Sequence, residues 1–352
     1  MSSNQIIINE FEKLVKFIQF EIDQSKIKKD VKSITSNTFR LKQTKNILAI
    51  IKKYQNKLTL DNLKMFGELP GIGKGTLDRI KEILENGKLK ELDNFSEELN
   101  ENDNLIKEFE NIVGVGRSNA LKFIEDGITS IDDLKSKIEN GKYEVNDKIK
   151  LGIKYYGKFE GNIPRKEIDK VYKLIESIVK KMNKKYKYDE NEKYIFEICG
   201  SYRRESPTSG DIDILFSKLD TTMNDKDNIN HLERFVKILK DPIKLNDNEP
   251  LLVDDITDKH YETKYMGFAK YKENPFRRID IRYVPHDVYY SALLYFTGSA
   301  TLNVNMRKIA EKMGLKLSEY GLTKEDGSKL PIESEYDIFK ILKIEYLPPR
   351  LR

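Results

Sequence analysis

Apolar residues recur along this chain with two different periods, and the change between them near residue 183 restricts its fold more than any other feature. Residues 5 to 60, as in "INEFEKLVKFIQFEI" and "TKNILAIIKKY", keep the spacing of one helix face and show no strand-like alternation. "IPRKEIDKVYKLIESIVKKM", residues 163 to 182, is a further helix. The segments "YIFEICG", "DIDILFS", "KYMGFAKY" and "RRIDIRYV" then alternate or are wholly apolar, with Gly, Pro, Asn and Asp between them. "YYSALLYFTGSATLNVNMRKIAEKMG" reads as a helix, a Thr-Gly-Ser break and a second helix, and "SEYDIFKIL" as a last one. A helical first half feeding a mixed sheet predicts an α+β protein of several subdomains, ending in a smaller α/β part.

The helical half contains an internal repeat. "ELPGIGKGTLDRIKEIL" (68 to 84) and "NIVGVGRSNALKFIEDG" (111 to 127) share one design: an apolar residue, G-x-G, small or basic residues, then an amphipathic helix. Each copy resembles a helix-hairpin-helix motif, in which glycines let backbone N–H groups at a helix start approach a DNA phosphate. The resemblance assigns DNA contacts to Gly71, Gly73, Lys74 and Arg79 in the first copy and to Gly114 and Gly116 in the second. It also implies a monovalent cation, Na⁺ or K⁺, on the carbonyls of Leu69 and Ile72 and of Ile112 and Val115. Such hairpins grip the backbone without reading bases.

Charge distribution agrees with a polyanionic partner. The net charge is only +5, but residues 1 to 90 hold 18 Lys and Arg against 10 Asp and Glu, a local +8, and the remainder carries −3. The longest apolar runs fall far short of a bilayer span, and the N-terminus lacks a basic segment followed by an apolar one, so a soluble protein is expected. A single cysteine, Cys199, rules out an internal disulfide, and three scattered histidines do not suit a zinc site. An intracellular location follows as an expectation.

"CGSYRRESPTSGDIDILFS" (199 to 217) places two carboxylates at the mouth of an apolar strand. Residues i and i+2 share a face, so Asp211 and Asp213 project together while Ile212 and Ile214 project oppositely. A divalent cation relieves their repulsion, and hard oxygen ligands suit Mg²⁺ or Mn²⁺. Asp280, in the centre of "FRRIDIRYV" (276 to 284), is a third strand carboxylate. Three carboxylates on adjacent strands hold two metal ions roughly 3.5–4 Å apart in phosphoryl-transfer sites. The neighbouring Arg277 and Arg278 read as countercharge for phosphates.

With "CGSYRRESPTSGDIDILF", "FRRIDIR" and "YFTGSATLNVNMR" in this order, the chain resembles the family X DNA polymerases, in the layout of the beta type. The resemblance implies a helical lyase-type, 5′-phosphate-binding domain over residues 1–90 and a helical DNA-binding subdomain over 91–160. It places a nucleotidyltransferase palm over 161–285 and a nucleotide-selecting subdomain over 286–352. No BRCT-like extension and no phosphoesterase domain is expected. Asp211 and Asp213 would hold both metals and Asp280 the catalytic one. Gly200, Ser201, Arg204, Ser209 and Gly210 would cradle the triphosphate. Lys150 takes the place of a phosphate-contacting arginine, so it keeps the charge and loses the fork. Tyr295 and Phe296, with the Thr297-Gly298 break, would press on the sugar and leave no room for a 2′-hydroxyl. Asn303 would touch the base edge, and Arg278 and Arg307 the DNA, while Ala300 replaces an acidic residue of the beta type.

The implied activity is template-directed gap filling in DNA repair of the base-excision type. Its implied substrates are deoxynucleoside triphosphates and gapped or nicked duplex DNA with a 5′-phosphate, and a monomer is expected. A template-independent terminal transferase is disfavoured, because Tyr295-Phe296 differs from the Gly-Trp of such enzymes and little chain separates "MGFAKY" from "FRRIDIR". A non-catalytic DNA-end scaffold is disfavoured by the survival of all three carboxylates. Deoxyribose-phosphate lyase chemistry needs an uncharged amine, and the family's lysine position holds Arg79, so weak or absent lyase activity is expected.

Overall fold

The structure, a computed structural model, describes residues 4–93, 97–159, 161–225, 229–257 and 262–352. The chain divides into two units, Met1–Ile149 and Lys150–Arg352. No helix among the described residues is long and apolar enough to cross a membrane.

The first unit opens with a helical hairpin, α1 (Gln5–Ile27) and α2 (Val31–Lys53). Ile7, Phe11, Leu14, Ile18 and Ile22 recur every three or four residues along α1, and all are buried in one core with Leu41 and Ile51 of α2. Asp30 caps α2 by accepting the Ser33 N–H at 3.1 Å. There follow α3 (Leu63–Gly67), α4 (Lys74–Asn86), α5 (Glu97–Glu110), α6 (Arg117–Glu125) and α7 (Ile131–Glu139). The repeat seen in the sequence is a repeat in space. Gly71 and Gly114 both take the left-handed conformation, with φ of +91° and +92°, where a side chain would be strained. Gly73 and Gly116 then start α4 and α6 with nearly the same extended backbone, ψ 171° and 174°.

The division between the units falls in α8 (Asp147–Tyr155). The second unit contains β1 (Ile163–Pro164), α9 (Arg165–Tyr186), β2 (Tyr194–Ile198), α10 (Gly200–Arg203), β3 (Thr208–Ser209), β4 (Ile212–Lys218), α11 (His231–Lys240), β5 (Leu252–Asp255), β6 (Lys264–Ala269) and β7 (Arg277–Tyr283). It ends in α12 (Tyr289–Thr297), α13 (Ala300–Lys312), β8 (Leu315–Ser318), β9 (Gly321–Lys324) and α14 (Glu335–Ile341). Five strands form a mixed sheet in the order β2-β4-β7-β6-β5, parallel only between β4 and β7.

Strand alternation sorts this sheet into two faces. Ile212, Ile214 and Phe216 of β4 and Ile279 and Ile281 of β7 join a core with α9 and α11. Leu215, on the other face, packs with Ala292 and Leu293 of α12. A third core gathers Leu294, Met306, Leu322, Ile338 and Phe339 around α13, β8, β9 and α14. The four strands expected from the sequence are β2, β4, β6 and β7. The short β5 was not legible there, since its pairing with β6 slips between Leu252 and Asp254 and breaks the period.

Candidate active site

The parallel pair places Asp213 of β4 directly opposite Asp280 of β7. Both lie on the sheet face away from α9 and α11, because their isoleucine neighbours fill that core. Asp211 sits two residues before Asp213, just ahead of the strand, and is exposed. Burial first, and then the charges of Asp211 and Asp280, push the Asp213 carboxyl up to about 7. The Asp280 carboxyl is also raised, by burial, although Arg278 opposes the shift. Asp213 and Asp280 line a cavity of about 80 Å³ with Cys199, Lys264, Arg282 and Phe296.

Arg278 donates to Asp280 Oδ1 at 2.7 Å and to the Gly267 carbonyl at 3.0 Å, so the charge read as a DNA contact is bound beside the third carboxylate. Arg277 differs from its sequence reading. Alternation turns it to the opposite face, where it is 4% exposed and pairs with Glu167 through two bonds of 2.9 and 2.7 Å. It supplies no countercharge to a phosphate.

Gly200 begins the short helix α10 with φ +58°, and a Cβ there would lie 2.6 Å from Asp213 Oδ2. Backbone and carboxylate approach closely only because the side chain is missing. Cys199 N–H donates to the Asp213 carbonyl at 2.8 Å, which ties this turn to β4. Ser201 follows in α10, and Ser209 is buried in β3, paired with Ile163, while Gly210 is exposed. Arg204 donates to the Thr297 carbonyl at 2.6 Å, bringing the G-S-x-R-R turn to the end of α12. There Gly298 has φ +72°, and its peptide bond to Ser299 is cis.

Tyr295 and Phe296 meet edge to face at 5.0 Å. The Arg307 guanidinium lies 5.0 Å from the Tyr295 ring and that of Arg282 lies 5.5 Å from Phe296. Asn303 donates to the Tyr295 carbonyl at 2.8 Å, so its amide fixes the aromatic segment. Lys150 is exposed on α8.

A buried ion cluster escaped the sequence reading. Arg203 donates to Glu335 at 3.0 and 2.7 Å and to the Thr297 hydroxyl at 2.7 Å, and Arg352 donates to Glu335 at 2.5 Å. Its members lie up to 149 positions apart, and no local pattern links them.

In the first unit, Lys74 is exposed at the start of α4, and no side chain caps that helix. Among the expected cation-binding carbonyls, Leu69 accepts from Ile72 N–H at 3.1 Å and Ile112 from Val115 N–H at 2.9 Å. Arg79 donates to Glu91 at 2.5 Å.

The donor chemistry beside the cavity fits a hard divalent cation: every carboxyl is an oxygen ligand, and their mutual repulsion is what such an ion removes. Among the described residues, no three Asp, Glu, His or Cys side chains converge as a closed ligand set, and Asp280 is bound to Arg278 instead.

Comparison with known proteins bears on this arrangement. Residues 107–160 match the fingers domain of DNA polymerase lambda, 162–286 the DNA polymerase beta palm and 292–352 the DNA polymerase beta thumb. The chain is 30% identical over 321 residues to a DNA polymerase lambda of Arabidopsis thaliana, covering 87% of this chain and 56% of that protein. It is 29% identical over 300 residues to a DNA polymerase lambda of Rattus norvegicus, covering 81% and 48%. It is also 23% identical over 342 residues to the DNA polymerase type-X family protein pol4 of Schizosaccharomyces pombe, covering 92% and 62%. The chain thus spans about half the length of the curated relatives it matches. Fingers, palm and thumb follow one another from residue 107 to the C-terminus, and the palm match contains Asp211, Asp213 and Asp280; this chain belongs to the family X DNA polymerases.

Proposed function

We propose that this protein is a template-directed DNA polymerase that fills short gaps in DNA repair. The observation that carries the reading is the register of Asp213 against Asp280 on adjacent parallel strands, with Asp211 two residues away. Bound at these carboxylates, Mg²⁺ or Mn²⁺ ions would activate the attacking oxygen and steady the leaving one. Asp280 would accept the proton of the primer 3′-hydroxyl as that oxygen attacks the α-phosphate. Gly200, Ser201, Arg204, Ser209 and Gly210 would hold the departing pyrophosphate through N–H, hydroxyl and guanidinium groups, with Lys150 adding charge.

Tyr295, Phe296 and Gly298 would select the deoxyribose, with Asn303 bracing Tyr295 from α13. Arg278 and Arg307 would contact DNA. In the helical region, Gly71, Gly73, Lys74, Arg79, Gly114 and Gly116 would grip phosphates, and the carbonyls of Leu69, Ile72, Ile112 and Val115 would hold Na⁺ or K⁺. The division at residues 90, 160 and 285, a monomeric state, an intracellular location and the gapped 5′-phosphorylated substrate belong to the same proposal. Primer extension on gapped, nicked and blunt DNA, with and without a downstream 5′-phosphate, tests it. Extension confined to single-stranded ends without a template would replace this reading with terminal transfer.

A further inference from the structure

The first unit contains a chain of four alternating charges. Arg40 in α2 donates to Glu21 of α1 at 2.6 Å and to Glu91 Oε2 at 2.8 Å, and Arg79 of α4 donates to Glu91 Oε1 at 2.5 Å. A second bond from Arg79 to Glu91 Oε2 measures 3.5 Å. All four side chains are about one-third exposed, between 29% and 35%. Glu91 thus bridges two guanidiniums that come from different helices.

One oxyanion spanning two planar forks is also how arginines hold a phosphate monoester. We propose that Glu91 occupies an anion site formed by Arg40 and Arg79 and competes there with the terminal 5′-phosphate of DNA, setting how strongly the protein prefers a phosphorylated gap. This rests on the polymerase reading, since it concerns the downstream end of the same substrate.

The charges decide the direction. With Glu21 and Glu91 in place the four groups sum to zero, so an arriving phosphate meets no net attraction from them. A phosphate of −1.5 to −2 gains both guanidiniums only after displacing the Glu91 carboxylate. Because the sites are half-buried, water only partly compensates for the separated charges. The local +8 of residues 1 to 90 therefore overstates what this site offers a phosphate.

The test measures binding of gapped DNA, by anisotropy at fixed salt, with a 5′-phosphate and with a 5′-hydroxyl on the downstream strand. Glu91→Gln keeps the shape and removes the charge. The ratio of the two dissociation constants is expected to rise about tenfold in Glu91→Gln, and a ratio unchanged or lowered overturns the proposal. A second readout needs no variant. In the intact protein the Arg79 Nε–H resonance is expected to move on adding a 5′-phosphorylated trinucleotide and to stay with the unphosphorylated one. No movement, or an equal one with inorganic phosphate at the same concentration, overturns a DNA-borne phosphate as the ligand. Primer extension by the unmodified protein on a template without a downstream strand reports separately on the polymerase reading.

Discussion

Asp213 and Asp280 are register partners across β4 and β7, and each is flanked on both sides by isoleucines that turn into the opposite core. Adjacent strands lie about 4.8 Å apart, so the pairing holds two carboxylates close together without relying on loop conformation. The same alternation that buries the isoleucines aims the acids.

Replacing Asp213 or Asp280 by alanine is expected to lower single-turnover nucleotide addition by at least about 100-fold, the scale on which a transition-state contact is lost. Affinity for gapped DNA should change little, because phosphate contacts dominate it. Chelation of divalent ions should abolish addition and Mg²⁺ should restore it. Full turnover by either variant would sink the assignment.

Gly200→Ala probes the closest approach in the site. A Cβ there would meet Asp213 Oδ2 at 2.6 Å, and the backbone has φ +58°, a region costing an L-residue about 1–2 kcal/mol. The turn or the carboxylate must move. We expect kcat to fall at least tenfold with a melting shift of only about 2–8 °C. Rates and melts measured on one preparation decide it, and an unchanged kcat would show that the close approach is incidental.

Much of this site was readable because it rests on short periods. Asp211, Asp213 and the strand around Asp280 follow from i, i+2 spacing, and the two hairpins from their glycines. Period alone did not separate Arg277 from Arg278. Both are basic and adjacent, yet alternation buries one against Glu167 and leaves the other beside Asp280. Nor could it pair Arg203 with Glu335 or Arg79 with Glu91, since those contacts depend on how distant elements pack.

Glu335 carries a pH dependence of known sign. Burial raises its carboxyl, but bonds from Arg203 and Arg352 outweigh this and hold it below its ordinary 4.5. A depressed folded value stabilises the protein above the unfolded one, and the gain is lost as pH falls through the folded value. Glu335→Gln removes the buried anion from two half-buried arginines and is expected to cost about 3 kcal/mol at neutral pH. The melting difference between the two proteins should shrink as pH drops below 4.5. A difference independent of pH would remove the charge from the account.

Deoxynucleotides are expected to be used about 100-fold better than ribonucleotides in kcat/KM, the discrimination that pocket shape alone reaches. Asn303 and Arg307 hold Tyr295 from one side, so Asn303→Ala should loosen the segment and narrow the preference. Incorporation of both sugars opposite one template base measures it. Equal efficiencies in the unmodified protein would show that Tyr295 and Phe296 do not guard the sugar.

The lyase step is expected to be weak or absent. β-Elimination of a 5′-deoxyribose phosphate begins when an uncharged amine attacks the sugar aldehyde, and a guanidinium remains protonated at any working pH. Arg79, the residue that the resemblance places at the family's lysine position, is further engaged by Glu91. Lys81 lies two residues on, faces elsewhere and sits 3.8 Å from Glu85, whereas Lys74 is exposed at the start of α4. Restoring a lysine is not enough, because a carboxylate beside it favours the ammonium form. Borohydride trapping on an incised abasic site should therefore give little crosslink with the native protein, a modest gain with Arg79→Lys and a larger one when Glu91→Gln is added. Strong crosslinking of the native protein that maps to a single lysine would refute this, and equal trapping by the single and double variants would acquit Glu91.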